Sequence, residues 1–388
     1  MTLATNVGRE RVLLWALGAA VFIINLDSRV IAPLLPEMAV ELNVSLAQAG
    51  WLVSAYMLPY GLLQLIYGPI ADRVGKLNVC AAAMLAFSVG TAFCSFWPTF
   101  APMLILRALT GAAAAGLIPL ILAYIGDTVP YERRQATLAT MMASAGAAQA
   151  FSTSAGGAIA AFVSWRWVFP CLGLLAGAVT VAIYALKGHA VQVASSKRLS
   201  FAEALRAPHM LTLLALVAWE GLLFSGAFSY LSGLLDQRFG LHALEIGGVL
   251  SLTGVAQLLS ARLLPRLLGR VSERWLVGVG GAIIGAAYLL AGFAAHWVLV
   301  AVACALLGFG FLPCHTTLQT RVTEVLPTAR GTAVALFAFS LFLGGGLGTA
   351  LLGAALEELG FTITFAATGC GLLAFTWTAV RALRQNVG

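Results

Sequence analysis

Hydrophobic residues along this chain come in long stretches, and short breaks rich in charged or turn-forming residues separate one stretch from the next. Each stretch approaches the ~20 apolar residues that a helix needs to cross a bilayer. The pattern therefore predicts an all-α membrane protein rather than a water-soluble domain. Twelve spanning helices are expected, at approximately 12–35, 47–70, 77–97, 99–126, 135–162, 166–187, 209–235, 244–266, 273–295, 297–322, 330–356 and 361–381.

Composition excludes several classes of protein. Of 388 residues, 61% are hydrophobic and only 10% are charged, whereas a soluble domain carries about 25% charged residues. A single core stops growing at about 250–300 residues, so water-soluble folding would leave much apolar surface exposed. A soluble enzyme, a disordered scaffold and a nucleic-acid binder are all excluded, despite the net charge of +7.

The basic residues instead indicate orientation. Successive breaks alternate between the two sides of the membrane, and 18 of the 22 Lys and Arg residues fall on the side of both termini. Only Arg166 and Arg238 fall on the other side, and two further arginines lie inside helices. Because cytoplasmic loops carry the excess of positive charge, both termini are expected in the cytoplasm, in a multi-pass protein of the cell inner or plasma membrane.

The chain divides near its midpoint. Its longest break lies between the sixth and seventh helices, and a spaced acid-x-x-Pro-x-x-Arg pattern begins at Asp127 and again at Glu324, 197 residues later. Recurrence at the same point of each half indicates an internal duplication. We therefore predict two pseudo-symmetric six-helix bundles, at 1–187 and 209–388, joined by a cytoplasmic linker at 188–208.

Specific motifs add a family resemblance. The loop after helix 2 reads Gly68-Pro-Ile-Ala-Asp72-Arg-Val-Gly75-Lys-Leu, helix 4 contains Arg107-x-x-x-Gly111, and helix 6 opens with Ser164-Trp-Arg-Trp. Together with the six-plus-six pattern, these motifs resemble the major facilitator superfamily over the whole chain. The run from Asp27 to Pro36-Glu37 is most similar to its twelve-helix drug:proton antiporter branch.

Two departures from that branch are visible. Helix 5 of the branch usually carries a Gly-Pro pair before a Gly-Gly pair. Here Gly156-Gly157 follow Ser152-Thr153 instead. The second-half copy of the helix 2 loop is degraded, because Arg266 stands where Asp72 would repeat.

The resemblance implies a conformational latch on the cytoplasmic side. Asp72 is expected to accept hydrogen bonds from the start of helix 11, around Ala329–Thr332, where the helix dipole favours negative charge. Lys76 is expected to pair with Asp127 at the end of helix 4. Both interactions are expected in the outward-open state and are expected to break on opening. The latch residues are Gly68, Asp72, Arg73, Gly75, Lys76 and Asp127.

Ionisable residues inside the predicted spans are the candidate site. Such a group costs about 2.5–3.5 kcal/mol at a helix centre, so each one is a functional hypothesis. We expect proton coupling or substrate contact from Asp27, Arg29, Arg107, Glu220 and His315, with Asp27 first among the proton carriers. The aromatic residues expected to line the cavity are Phe22, Trp219, Phe224 and Phe228.

The predicted function is secondary active transport by alternating access, most specifically proton-coupled efflux of a small amphipathic or drug-like compound. Three alternatives stay open: an organic-anion symporter or uniporter, a lipid translocator, and a non-transporting sensor on a transporter scaffold. The chain lacks the HExxH, GxSxG and Walker patterns and any metal-spaced His/Cys set. No enzymatic activity, metal or cofactor is expected, and the partners are a small-molecule substrate, protons and lipid around a monomer.

Overall fold

A computed structural model describes residues 2–187, 201–267, 270–327 and 329–385, nearly all of them helical. Most of the predicted linker, residues 188–200, lies outside the described residues. Its last part contains a short helix, Phe201–Leu205.

The membrane-length helices follow the predicted order. Ten described segments are long and apolar enough to cross a bilayer. The last of them contains Gly360, whose φ of 72° divides it into two helices. A further helix, Tyr131–Phe162, is long enough but less apolar. Numbered α1 to α12, the spans are Gly8–Glu41, Leu46–Val74, Lys76–Phe93, Phe100–Thr128, Tyr131–Phe162, Trp165–Lys187, Met210–Phe239, Ala243–Leu267, Glu273–Gly292, Trp297–Val325, 330–359 and 361–385. The expected fold class, all-α with twelve spans, is confirmed.

Local sequence explains several of the helix boundaries. The hydroxyl of Ser45 accepts from the backbone N–H of Gln48, whose side chain in turn accepts from the Ser45 N–H, so a capping box starts α2. Between α2 and α3 only Gly75 leaves the helical conformation, with φ of 98°, a value that residues with a Cβ rarely adopt. In α1, Pro33 lies in a 3-10 turn, Ala32–Leu34, because proline cannot donate the helical hydrogen bond to Arg29.

Helices α1–α6 pack together as a first half and α7–α12 as a second half. The halves meet mainly through α2 against α11 and α5 against α8. Gly157 of α5 and Gly247 of α8 approach so closely that a Cβ on Gly157 would collide with the α8 backbone. On α11, Gly344 and Gly348 pack against the backbone of α7. These mid-span glycines thus permit close approach of the helices.

Among the described residues, close contacts between the two halves reach the side of the membrane away from the termini. Cross-half contacts such as Leu46 with Gly233 and Gly157 with Ala243 lie on the side away from the termini. Towards the terminal side, where α1 begins and α12 ends, the stretches 261–263 and 265–266 of α8 are exposed. A Cβ on Gly331, at the start of α11, would contact nothing within 4 Å. Among the described residues, close contacts between the halves thus reach the opposite side, which we call the closed side, whereas the terminal side has exposed helix ends.

The Ser164-Trp-Arg-Trp motif braces the first half on the closed side. Arg166 Nε donates to Glu41 Oε1 at 2.5 Å, and Trp165 Nε1 donates to Glu41 Oε2 at 2.5 Å. Arg166 also donates to the carbonyls of Ser95 and Trp97 at the end of α3. In the second half, Arg238 plays the matching part, donating to Gly292 O at 2.8 Å and to Thr362 Oγ1 at 2.7 Å.

Candidate functional site

The first buried ion pair joins α1 to α4. Arg107 Nη1 lies 3.2 Å from Asp27 Oδ1 and 3.0 Å from Oδ2. Both side chains are essentially inaccessible, at 1% and 0% exposure. The sequence places both residues at a functional site but does not predict that they pair.

The surroundings of this pair fix its geometry. The Arg107 guanidinium carbon lies 4.3 Å from the ring centroid of Tyr56 in α2, a cation–π arrangement. Gly111, one turn after Arg107, packs directly on the Tyr56 backbone. Ser152 of α5 donates to the carbonyl of Leu26 at 2.7 Å. The Arg107-x-x-x-Gly111 motif is thus explained by packing: glycine lets α2 approach, and the approach brings an aromatic ring over the cation.

A second buried pair joins α7 to α10. Glu220 Oε2 lies 3.2 Å from His315 Nδ1. The Glu220 side chain is fully buried and the His315 side chain is 16% exposed. The other carboxylate oxygen of Glu220, Oε1, has no hydrogen-bond partner among the described residues. His315 stacks on Phe311 at 4.6 Å, which holds the imidazole towards Glu220.

The backbone after Glu220 is unusual. Residues Gly221–Ser225 form a π-helical turn inside α7, a distortion that is often found at functional sites. A side chain on Gly221 would collide with the carbonyl of Leu341 in α11. The π-helical turn therefore directly follows Glu220 and packs against α11, the helix through which the second half contacts α2.

Arg29 lies where the two halves meet. Its guanidinium carbon is 5.0 Å from the ring centroid of Phe228 and 6.0 Å from that of Phe224, both in α7. No acidic side chain among the described residues pairs with it. As expected from their spacing, Asp27 and Arg29 point in different directions and do not bond to each other.

The four aromatic candidates occupy different positions. Phe228 and Phe224 face Arg29, and Phe224 is fully buried, stacked at 4.2 Å on Phe311. Trp219 packs edge-on against Phe375 of α12 at 6.2 Å, within the second half. Phe22 is partly buried against the core of the first half. Aromatic contact with a charged group is therefore concentrated at Phe224 and Phe228.

The ion pair predicted between Lys76 and Asp127 is present. Lys76 Nζ lies 2.7 Å from Asp127 Oδ2, joining the start of α3 to the end of α4. Both residues belong to the first half, and they are paired in this structure. The expectation that opening of the terminal side breaks the pair stays a prediction.

The other latch residues lie close by on the terminal side. Gly68 lies within α2, which continues through Asp72 and Arg73 to Val74, and the side chains of Asp72 and Arg73 are exposed. The first turn of α11 contains Thr332, which is buried. The latch role of these residues stays a proposal.

The second half contains a brace of the same kind with its charges exchanged. Glu273 at the start of α9 pairs with Arg321 near the end of α10. Arg321 also lies 3.7 Å from Glu324, the first residue of the repeated acid-x-x-Pro-x-x-Arg pattern. In the first half the third helix supplies the base, whereas in the second half the corresponding helix supplies the acid. The sequence did not reveal this pair, since the Asp72 position of the motif is lost there.

Comparison with known proteins identifies the family. The model of the Major Facilitator Superfamily matches residues 17–349. The chain belongs to the major facilitator superfamily. It is accordingly a secondary transporter of small molecules and not an enzyme, and an integral multi-pass membrane protein.

Relatives at the sequence level include uncharacterized transporters and efflux pumps. The uncharacterized MFS-type transporter YceJ of Bacillus subtilis is 26% identical over 344 residues, 88% of each chain. Efflux pump hmp6 of Hypomyces subiculosus is 30% identical over 170 residues, which are 43% of this chain and 30% of that protein.

Solved transporter structures share the fold. The nucleoside transporter NupG gives a TM-score of 0.78 at 14% identity and covers 96% of this chain and 99% of that chain. A bacterial homologue of the human lysosomal transporter Spinster, inward-facing and occupied, gives 0.79 at 19% identity and covers 96% of each chain.

Several site residues were missed at the sequence level. Tyr56 and Glu41 look like ordinary residues of an amphipathic span end or core, and only the packing shows that they touch Arg107 and Arg166. A signal did exist for Gln149 and Thr153 on α5: polar side chains one turn apart, deep inside a span, share one helix face.

Proposed function

We propose that this superfamily member exports small amphipathic compounds in exchange for protons. Its terminal side is taken as cytoplasmic, because 18 of 22 basic residues fall there. The two halves rock about a site near the membrane midplane, as in other transporters built from repeated units. The protein acts as a monomer.

One observation carries the proposal: each half holds one buried acid paired with one base, and the two pairs lie at different depths. Glu220 is ten residues from the terminal-side start of α7, about 15 Å at the helical rise of ~1.5 Å per residue. Arg107 lies seven residues from the opposite-side start of α4, about 10 Å by the same measure. One pair is therefore nearer each side of the membrane.

The two buried pairs also differ in their exposure to solvent in this conformation. The His315 side chain retains 16% exposure and contacts Glu220, whereas Asp27 and Arg107 are at most 1% exposed inside the first half. Protons from the terminal side therefore reach Glu220 through His315. Protons from the opposite side reach Asp27 only after the halves separate there.

The proposed cycle uses this difference. When the closed side opens, a proton binds Asp27 and weakens its hold on Arg107, and the substrate leaves. Glu220 also binds a proton while the closed side is open. When the terminal side opens, Glu220 releases its proton through His315, Asp27 releases its own and pairs with Arg107 again, and the next substrate enters. Arg107 couples the steps because it bridges α1 and α4 only while Asp27 is ionised.

Relatives support the direction of transport, since several partial matches are named efflux pumps, among them hmp6 of Hypomyces subiculosus. The alternative of an organic-anion symporter or uniporter expected both Arg29 and Arg107 to face the cavity, and of these two only Arg29 is without an acidic partner among the described residues. Arg107 is engaged by Asp27.

Proteoliposomes with an imposed pH gradient test the proposal. Ethidium and 6-carboxyfluorescein serve as a cationic and an anionic probe. Wild-type protein is expected to move at least one of them against its concentration gradient when the gradient is present. Glu220→Gln is expected to lose gradient-driven transport but retain exchange of labelled for unlabelled probe, which needs no net proton movement. Gradient-driven transport by Glu220→Gln at the wild-type rate would overturn the coupling role.

A matched control is Glu245→Gln, at the start of α8, because Glu245 is exposed and bonds only to the backbone N–H of its own helix start. This variant is expected to transport like the wild type.

A further inference from the structure

A small polar cavity lies between the two halves, next to Arg29. Four helices line it, two from each half: Arg29 from α1, Gln149 and Thr153 from α5, Phe228 from α7, and Leu250, Thr253, Gly254 and Gln257 from α8. Its volume is about 10 Å³, which accommodates one water-sized group.

The lining is symmetric in chemistry. On α5 a glutamine precedes a threonine by one turn, Gln149 and Thr153, and on α8 a threonine precedes a glutamine by one turn, Thr253 and Gln257. Because α5 and α8 run in opposite directions past each other, the two threonines come to one level and the two glutamines to another. The close approach of Gly254 to Ala150 brings the helices together at this height.

Two threonine side chains in this cavity are buried. Thr153 is 2% exposed and Thr253 is 4% exposed. The hydroxyl of each has no hydrogen-bond partner among the described residues. The thiol of Cys304 interacts with the side chain of Thr253 but is a weak hydrogen-bonding group. Buried hydroxyls normally find a partner, so these two are available to a hydrogen-bonding ligand in the cavity.

The charge of the cavity identifies that ligand. Arg29 is the only charged lining residue, and the two nearest buried acids, Asp27 and Glu220, are engaged by Arg107 and His315. A guanidinium stacked over Phe228 keeps its N–H groups available in its own plane. Guanidinium, hydroxyl and amide groups all donate hydrogen bonds, and together they match the oxygens of a small anion.

We propose that this cavity is an anion subsite that binds a singly charged anionic group, such as the carboxylate of the amphipathic substrate. The inference rests on the proposed function and specifies its substrate class. Since the cavity accommodates only one small group, the rest of the substrate lies in the adjoining terminal-side opening. An anion bound here contacts α1 and α5 on one side and α8 on the other, so it stabilises the approach of the two halves.

Binding to protein in lipid nanodiscs, without a proton gradient, tests the subsite. Radiolabelled 4-phenylbutyrate is the probe, and 4-phenylbutanamide and 4-phenylbutylamine are competitors that differ only in the terminal group. We expect saturable binding of the carboxylate, no competition by the amine and at least about tenfold weaker competition by the amide, the loss typical of one charged hydrogen bond. Equal competition by the amide or the amine, or no saturable binding at millimolar probe, would overturn the subsite.

Variants tie the binding to the named residues. Arg29→Gln is expected to weaken binding at least about tenfold, and Arg29→Lys is expected to restore part of it. Thr153→Val, which keeps the shape and removes the hydroxyl, is expected to weaken binding about threefold to tenfold. Thr140→Val, on the exposed part of the same helix, is the control and is expected to bind like the wild type. Wild-type affinity in both Arg29→Gln and Thr153→Val would overturn the assignment.

Competition by chloride distinguishes an inorganic anion from an organic anionic group as the occupant of the subsite. Competition by chloride that disappears in Arg29→Gln supports the subsite with an inorganic anion as occupant, and lack of competition supports an organic anionic group. Failure of the subsite is distinct from failure of the proposed function. Arg29-dependent binding that persists while pH-driven transport is absent overturns coupling alone.

Discussion

Arg107 Nη1 bonds to both carboxylate oxygens of Asp27, at 3.2 and 3.0 Å, in a position where neither side chain is more than 1% exposed. The two residues are 80 positions apart in the sequence. The pair joins α1 to α4 inside the first half, and its charges are buried there. The first prediction concerns the stability that this buried ion pair provides.

Asp27→Asn is expected to destabilise the protein by about 3 kcal/mol, because a buried guanidinium loses its counter-charge. Arg107→Gln is expected to have a similar effect. The double variant is expected to cost about 2 kcal/mol less than the sum of the two, since it leaves no unpaired charge. Thermal unfolding of the purified variants in one detergent measures this double-mutant cycle. Strict additivity of the two losses of stability would contradict coupling between Asp27 and Arg107.

The Lys76–Asp127 pair leads to a different prediction. With its partners 10% and 32% exposed, it is expected to contribute at most about 1 kcal/mol to stability. Lys76→Gln and Asp127→Asn should each slow transport while unfolding close to the wild-type temperature.

The reversed pair in the second half predicts that polarity can be exchanged. Glu273 and Arg321 brace α9 and α10 with the charges in the opposite order. The charge-exchanged variant, Lys76→Asp with Asp127→Lys, is therefore expected to transport faster than either single substitution. Initial transport rates of the two single variants and the double variant in proteoliposomes test this prediction. If the double variant is no faster than the slower single variant, the position of each charge matters and the prediction is wrong.

Helix packing beside the ion pair gives a fourth prediction. A Cβ on Gly111 would collide with the backbone of Tyr56, so Gly111→Ala is expected to destabilise the protein by about 1–3 kcal/mol and to displace α2. Gly126 lies in the same span and a Cβ there would contact nothing within 4 Å. Gly126→Ala is expected to be neutral or stabilising by up to about 1 kcal/mol, because alanine favours the helix. Equal destabilisation of both variants would contradict the packing argument.

The contact of Leu46 with Gly233 predicts a conformational trap. These residues of α2 and α7 touch on the closed side, so the double variant Leu46→Cys, Gly233→Cys should form a disulfide. Oxidation is expected to stop transport, because the closed side can no longer open, and a reductant is expected to restore it. The background carries Cys171→Ser and Cys370→Ser, which remove the two exposed cysteines. Each single-cysteine variant serves as control, and full transport by the oxidised double variant would argue against rocking about this contact.

The sequence by itself determined the approximate number of spanning helices and their approximate bounds. Apolar length is a local property, and a bilayer turns it into a span wherever it occurs. The pairing of Lys76 with Asp127 was also predictable, because both residues lie at short turns on the same side of neighbouring helices. In the same way, the few ionisable residues inside the spans identified the candidate site, since their cost in lipid has to be offset by a function.

Only the tertiary structure decided which charges meet. Asp27 engages Arg107 and leaves Arg29 unpaired, although Arg29 is much nearer in sequence, because a helix turns residues two apart to different faces. The unpartnered hydroxyls of Thr153 and Thr253 become neighbours only when α5 and α8 pack across the two halves. Contacts between distant segments depend on helix rotation and approach, which the hydrophobic pattern leaves undetermined.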